Sequence, residues 1–493
     1  MTRKKSIPCC LSVLLVAVAV SSARAGNWPS WRGPEGIGVS PEKGLPLKWN
    51  ASENVRWHAQ LPGPCNSSPI VWGDRVFVTQ AVEDGNRRTI MCFDRAGGKL
   101  LWQSGAAYSD KEPTQQNNPY CSATPVTDGE RVIASFGSAG LYCYDFGGKE
   151  LWHRDLGKMS HMFGNASSPI LYGDLCILPF GPDEKARLIT VNKRTGESVW
   201  EVEPPKVDPN EQQSPGGSGG PGGPARPGDD RGPAGANGPG RPGQPGDPAP
   251  GGGFGRGGPG GGPGPGGFGP GGPGGPGGPR GRGSPSGTWS TPIIVKADGH
   301  DELVMAFPYR LAAYDPKTGK RIWLSKGTGA TIYTTAVWGE NTIVAMSSGM
   351  GRGSVVAVKP GGSGDVTESR RVWQADIAKS RTGSGIIHEG HFYAINDNGI
   401  ADCVDLKTGK TVWEERLKGL GEKSSSWSSM LLADGKIYVP NQSGDVFVLR
   451  ASPQFELLAT NSVGETTNAS LAASNGELFM RTDRSLWCFA NTP

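Results

Sequence analysis

Histidine is scarce in this chain: His58, His153, His161, His300, His388 and His391 are its whole complement. No cysteine or histidine spacing resembles a zinc site. A nucleophile elbow is also missing, because Ser354 in GRGSVV lacks the closing glycine. No long 3.6-residue apolar periodicity runs through the sequence, which excludes a helical architecture. Charge of one sign is lacking too. Lys and Arg number 50 against 46 Asp and Glu, and four of the basic residues fall within the first 25 positions. The remainder is near neutral and carries no basic stripe, which argues against a nucleic-acid partner.

Beyond residue 25 no stretch is apolar enough to cross a bilayer, so no transmembrane span is expected. The N-terminus itself reads as an export leader. Arg3, Lys4 and Lys5 form a basic region, Leu11–Val20 an apolar one, and Ala23-Arg24-Ala25 a cleavage site before Gly26. The ten apolar residues are too few to span a membrane. The mature chain is therefore expected to be exported, periplasmic or secreted, and monomeric. Residues 26–53 follow as a strap rich in Trp, Pro and Gly, including Trp28, Trp31 and Trp49.

What the sequence has in quantity is repetition. The stretch Ala312–Trp323 (AAYDPKTGKRIW) reads as a strand, a tight turn and a returning strand ending on a large aromatic. Asp315 can accept a turn N–H, Pro316 presets φ, and Gly319 supplies a positive φ. Related segments end at Trp102, Trp152, Trp200, Trp373 and Trp413, the last after Gly409. A second pair of strands precedes each, as in SSPIVWGDRVFVTQ (67–80). Four short strands per unit of roughly 40–50 residues indicate β-propeller blades.

Naming the strands A to D from the axis outward, A and C each occur eight times, and D seven times before the chain ends. The last of these is a degenerate copy placed at Phe455–Thr460. The missing outer strand is NVRWHAQL (54–61) at the other end of the chain. The expected fold is thus all-β: an eight-bladed propeller of four-stranded antiparallel blades, closed by an N-terminal strand. Blades 1–3 with the closing strand occupy 54–203, and blades 4–8 occupy 287–493. Residues 204–286, almost all Gly and Pro, cannot bury enough surface to order and are expected to be a disordered insertion.

The B–C and D–A connections emerge on one side of the ring, and the long ones (104–120, 153–165 and the insertion) all lie there. Any ligand or partner site is expected on that face. Candidates are the polar residues at the starts of the A strands, with their neighbours: Asn66, Ser67, Ser122, Asn165, Ser167, Ser290, Thr334, Ser384, Ser428 and Asn468. They either form a polar ring for a ligand or satisfy the inner edge of the A strands, and the second reading is preferred. His161, in a long loop, and Arg310 and Asp397, in B–C hairpins, complete the list. Trp102, Trp152, Trp200, Trp323, Trp373 and Trp413, with Gly319 and Gly409, are structural residues that dock blades. No residue is nominated as catalytic or metal-binding.

Cys92, Cys143, Cys403 and Cys488 share one position in strand C, where the other blades hold Thr190, Ala313, Ala357 and Val448. A small buried residue is what the position requires. Cys65 and Cys121 are equivalent in adjacent blades. A disulfide between them is open, although its geometric demands favour free thiols.

The D-x-x-T-G-x turn and following tryptophan (Asp315, Thr318, Gly319, Trp323) resemble the repeat of pyrroloquinoline quinone (PQQ)-type propellers. The opening NWPSWRGPEGIGVS is similar to the start of exported bacterial PQQ-like propellers. The resemblance implies one of two activities. One is non-catalytic partner binding, as in the BamB-like subunit of outer-membrane barrel assembly. The other is a dehydrogenase of alcohols or sugars using PQQ and calcium. The A-strand starts carry no carboxylate, and the only Cys-Cys pair, Cys9-Cys10, lies in the leader. These departures favour a cell-envelope scaffold binding protein or another polar ligand, with no cofactor. The missing lipid-attachment cysteine at the cleavage site separates the chain from the assembly subunit.

Overall fold

The computed structural model describes residues 26–182, 186–207, 287–348, 353–377 and 380–491. The leader and residues 208–286 of the insertion lie outside them. One compact unit comprises residues 1–214 and 283–493, and its described part is a ring of eight antiparallel sheets. Blades 1–7 are built from strands within 70–107, 126–154, 170–202, 293–326, 337–377, 386–416 and 431–462. The eighth takes its inner three strands from 472–489 and its outer strand from Val55–Gln60. Trp57 lies opposite Cys488, and Gln60 opposite Ser485. The ring is closed by joining the two ends of the chain.

Each C–D pair carries one register shift, immediately before the docking aromatic where there is one. A bulge puts two residues of one strand against one of its partner and re-aims the side chains. Here it turns Leu101, Leu151, Val199 and Val412 outward, where they are 40–47 % exposed. The next residue, tryptophan, faces the neighbouring blade. Opposite it stands the small strand-C residue: Cys92 for Trp102, Cys143 for Trp152, Cys403 for Trp413 and Ala313 for Trp323. That pairing is the physical reason a cysteine or alanine recurs there.

The tryptophans dock on the next blade's C–D turn. Trp102 Nε1 donates to Phe146 O (2.9 Å), Trp200 to Pro316 O (3.1 Å) and Trp373 to Leu406 O (2.8 Å). Trp57 donates to Arg95 O in blade 1 (2.6 Å), so the closing strand docks like the rest. The turns are held by their aspartates; Asp315 Oδ1 accepts from Lys317 N (2.8 Å) and Thr318 N (3.0 Å). Gly319 (φ +70) and Gly409 (φ +72) lie flat under the rings, where a Cβ would come within 2.7 Å of Trp200 and 2.6 Å of Trp373. Glycine is required for the close approach as well as for the φ.

Two units depart from the repeat. Blade 5 has a long C–D connection whose Gly364–Asp365 pairs in parallel with the outer strand of blade 4. Trp323 accordingly donates to Glu302 Oε2 (2.8 Å) rather than to a turn carbonyl. The outer strand of blade 7 is Leu457–Ser462, two residues later than expected from its degenerate sequence, with Ala459 in the tryptophan position. Phe455 instead packs edge-on against Trp413 at 5.1 Å.

The strap crosses the axis along the inner strands. Trp28 exchanges two backbone hydrogen bonds with Val71 of blade 1 (2.8 Å each), and Val39–Ser40 pairs in parallel with blade 7. Between them Arg32, 2 % exposed, donates to the carbonyls of Ser384 (3.1 Å) and Gly385 (2.7 Å) in blade 6. Burial pulls its pKa down to about 9, which still leaves the guanidinium charged at neutral pH.

Candidate binding face at the channel mouth

Where the A strands begin, eight side chains form a closed circuit. The backbone N–H of Ser68 donates to the Thr124 hydroxyl, Thr124 to Ser168, Ser168 to Thr291, and Thr291 to Thr335. Thr335 then donates to Ser384, Ser384 to Ser429, Ser429 to Ser470, and Ser470 back to Ser68. Every bond is 2.9–3.0 Å, and each crosses from one blade to the next. A strand-A start has no inner neighbour, so its N–H groups need a side-chain acceptor. Ser and Thr recur here for that reason.

In blades 1 and 5 the hydroxyl just before the circuit member turns back toward its own blade. Ser67 Oγ accepts from Thr79 N (3.0 Å), and Thr334 Oγ1 donates to Met346 O (2.9 Å). Ser290 Oγ contacts Thr291 O at 3.4 Å, while Ser167 and Ser428 are fully buried. The Ser and Thr that recur at the starts of the A strands thus divide into circuit members, Ser384 among them, and the residues just before them.

One step further toward the loops, two residues before each circuit member, stand Asn66, Ser122, Ala166, Trp289, Tyr333, Thr382, Trp427 and Asn468. These define the mouth. The two long loops roof one half of it. Asn66 and Asn468 both donate to Asn117 O (2.8 and 3.3 Å), and Gln442 Nε2 donates to Asn468 Oδ1 (2.8 Å). Asn118 Nδ2 donates to Phe163 O (2.7 Å), and Asn165 Oδ1 accepts from Ser167 N (3.3 Å). Ser122 Oγ donates to Pro119 O (2.7 Å).

A buried ion pair fixes this roof. Arg88, 1 % exposed, pairs with Glu112, whose other oxygen accepts from the Ser138 hydroxyl. Ser138 Oγ in turn accepts from Met159 N (2.9 Å), so one carboxylate ties both loops to blades 1 and 2. The guanidinium also lies against Tyr120 (4.1 Å) and Tyr108 (4.8 Å), in cation–π range. The adjoining cavity is only about 20 Å³, room for a single water.

The other half of the mouth is aromatic. His161, 8 % exposed, meets Trp289 edge-on at 4.9 Å, and Tyr333 rests on Trp289 at 5.2 Å. His161 is thus a packed residue under the rim. Asp397 reaches the mouth through Thr382, accepting from its N (3.1 Å) and Oγ1 (3.3 Å). Burial raises its pKa against the lowering effect of hydrogen bonds from Ser380 and Thr382. Arg310 does not reach the mouth. It is 5 % exposed on strand C, opposite Lys326, and its charge acts on Asp365 at the outer edge of blade 4. Its place at the start of strand C stands two strands out from the axis.

Cys65 and Cys121 are both free and buried beside Arg481. Burial pushes both thiols up. Trp289, Tyr333, Thr382, Trp427, Asn117 and the Arg88–Glu112 pair were not apparent from the repeat. The signal available for the first four was their shared offset from the circuit hydroxyl.

A family model described as "Outer membrane protein assembly factor BamB" matches residues 39–160, 86–215 and 280–415. No curated protein matches the chain. Among solved structures, BamB from Moraxella catarrhalis superposes with a TM-score of 0.52 at 12% identity, covering 88% of this chain and 96% of that one. A europium-containing methanol dehydrogenase gives 0.55 at 11%, covering 94% and 98%. The quinohemoprotein alcohol dehydrogenase from Comamonas testosteroni gives 0.56 at 11%, covering 95% and 81%. At such identities the structures share the fold alone, but the family model spans more than half of the sequence, and the chain belongs to that family of PQQ-repeat β-propellers.

Proposed function

We propose that this chain is an exported, non-catalytic propeller that binds a partner in the cell envelope through its loop-rich face. The observation that carries this reading is the Arg88–Glu112–Ser138 cluster. It spends a buried ion pair on holding two long surface loops in one arrangement. Preordered loops on a rigid ring lower the entropic cost of association. The same face exposes Met162 (39 %) and Leu420 (78 %), apolar groups that a partner would cover.

The dehydrogenase reading fits the residues less well. Calcium requires several converging oxygen ligands. At the mouth the circuit hydroxyls are committed between blades, and Asp397 is already hydrogen-bonded to Thr382. Among the described residues no three His, Cys, Asp or Glu side chains converge on a metal position. The donor set does not suit a calcium–quinone centre.

A photo-crosslinking amino acid at Gln116 or Leu420, on the loop face, should give a discrete adduct in cells. The same probe at Lys317 or Lys407, on the C–D turns, should not. Equal labelling from both faces would overturn the assignment. Saturable PQQ and calcium binding with dye reduction on alcohols or sugars would establish the dehydrogenase instead.

A further inference from the structure

We infer that the channel mouth is a binding site for a neutral saccharide, held between the rings of Tyr333 and Trp427 and the polar groups of Asp397, Asn66 and Asn468. This rests on reading the loop-rich face as the binding face.

Tyr333 and Trp427 occupy the mouth position in blades 5 and 7, and Thr382 occupies it in blade 6 between them. Both rings are half-buried. Tyr333 is buttressed from behind by Trp289, which is 7 % exposed and is itself held by a hydrogen bond from Nε1 to Gly164 O (2.9 Å). Its ring is therefore presented in a fixed orientation. Between the two aromatic positions Asp397 is anchored by Thr382 and Ser380, so its carboxylate does not swing away. Across the mouth the amides of Asn66 and Asn468 are fixed by the Asn117 carbonyl, and Asn468 also by Gln442.

The chemistry of this set selects its ligand. None of the eight mouth positions is Lys or Arg, so among the described residues these positions offer an anionic ligand no counter-charge. The buried cation nearest to Asp397, Arg381, is already paired with Asp402 through two bonds of 2.7 Å. A wholly apolar ligand would strip water from Asp397 and the amides without replacing their hydrogen bonds, at about 1–3 kcal/mol for each group. A pyranose ring satisfies both requirements. Its C–H faces stack on aromatic rings, and its equatorial hydroxyls lie in the plane where carboxylate and amide groups converge.

The full chain is titrated with hexasaccharides derived from glucan, xylan and chitin, with hexauronate as the charged comparison, by calorimetry and tryptophan fluorescence. At least one neutral chain should bind with a Kd of about 1 mM or tighter. Trp427→Ala and Tyr333→Ala should each weaken it about tenfold or more, with unchanged melting. Thr382→Val, which loosens Asp397 without touching a ring, should weaken it less. The inference is overturned by a flat response to every neutral chain at about 10 mM, by preference for the uronate, or by indifference to both aromatic substitutions. If adducts from Gln116 persist under those outcomes, the scaffold reading stands and only the saccharide is lost. If they vanish as well, both fall.

Discussion

The N–H of Ser470, in the last blade, donates to the hydroxyl of Ser68, in the first, at 2.9 Å, although 402 residues separate them. With that bond the inner circuit has no gap. The outer strand Val55–Gln60 closes the same pair of blades at the rim, so the ring is joined at both radii.

Each circuit bond satisfies a buried N–H that has no strand to pair with. Thr335→Val keeps the shape of the side chain but removes the acceptor for Thr291 N and the donor to Thr291 O. Leaving a buried group unmatched costs about 1–3 kcal/mol. Urea unfolding should show a loss of that size for Thr335→Val and a much smaller one for Thr335→Ser. An unchanged midpoint in the valine variant would mean that water satisfies the inner edge.

Ring closure through the N-terminal strand makes a second prediction. Trp57, 7 % exposed, packs at 6.1 Å from Phe479 and donates to Arg95 O, so it joins blade 8 to blade 1. Trp57→Ala should cost about 3–5 kcal/mol. Deleting residues 46–61 should expose the edge of strand Ser485–Phe489 and abolish a single cooperative melt. A deletion variant that melts like the full chain would show that the strand merely decorates the ring.

How far the sequence reveals these features depends on whether a residue's role repeats. The docking turn recurs because every blade must place a glycine under a neighbour's ring, so Asp, Gly and Trp keep their spacing. The circuit hydroxyls recur for the same reason, since each inner edge has the same unpaired N–H. Position two before the circuit is different. Asn66, Trp289 and Thr382 share a location but no common physical demand, so only their offset from the circuit hydroxyl marks them and no residue type recurs. Arg88 and Glu112 are less visible still, because a loop without periodicity meets a strand 24 residues earlier. Blade 5 shows the converse error, where a familiar ending, RRVW, conceals an enlarged turn that pairs with blade 4.

The loop roof should depend on the Arg88–Glu112 pair. Glu112→Ala leaves a guanidinium that is 1 % exposed with only Phe136 O (2.8 Å) and the tyrosine faces as partners. Breaking a buried pair from one side costs about 3–5 kcal/mol. Part of that loss should appear locally, as faster proteolysis between residues 104 and 120. Arg88→Met with Glu112→Leu should recover much of the global stability, since an apolar pair leaves no charge unmatched. Cleavage rates in Glu112→Ala that match the parent chain would show that the loops are held by their amide contacts alone.

Asp397 provides a pH test. Its folded pKa lies above the unfolded value near 3.9, chiefly because burial disfavours the charged carboxylate. A raised pKa means that the folded state holds its proton more tightly than the unfolded chain. The associated stabilisation is complete below the unfolded pKa and is lost as pH rises through the folded one. At neutral pH the ionised carboxylate therefore opposes folding, offset in part by hydrogen bonds from Ser380 and Thr382. Asp397→Asn keeps an oxygen that can accept from Thr382 N and removes the charge. The variant should match or exceed the parent in melting temperature at pH 7. As pH falls toward 4 the parent should gain on it, since only the parent carboxylate takes up a proton there. A melting difference that stays constant from pH 7 to pH 4 would show that Asp397 titrates as a solvated surface group.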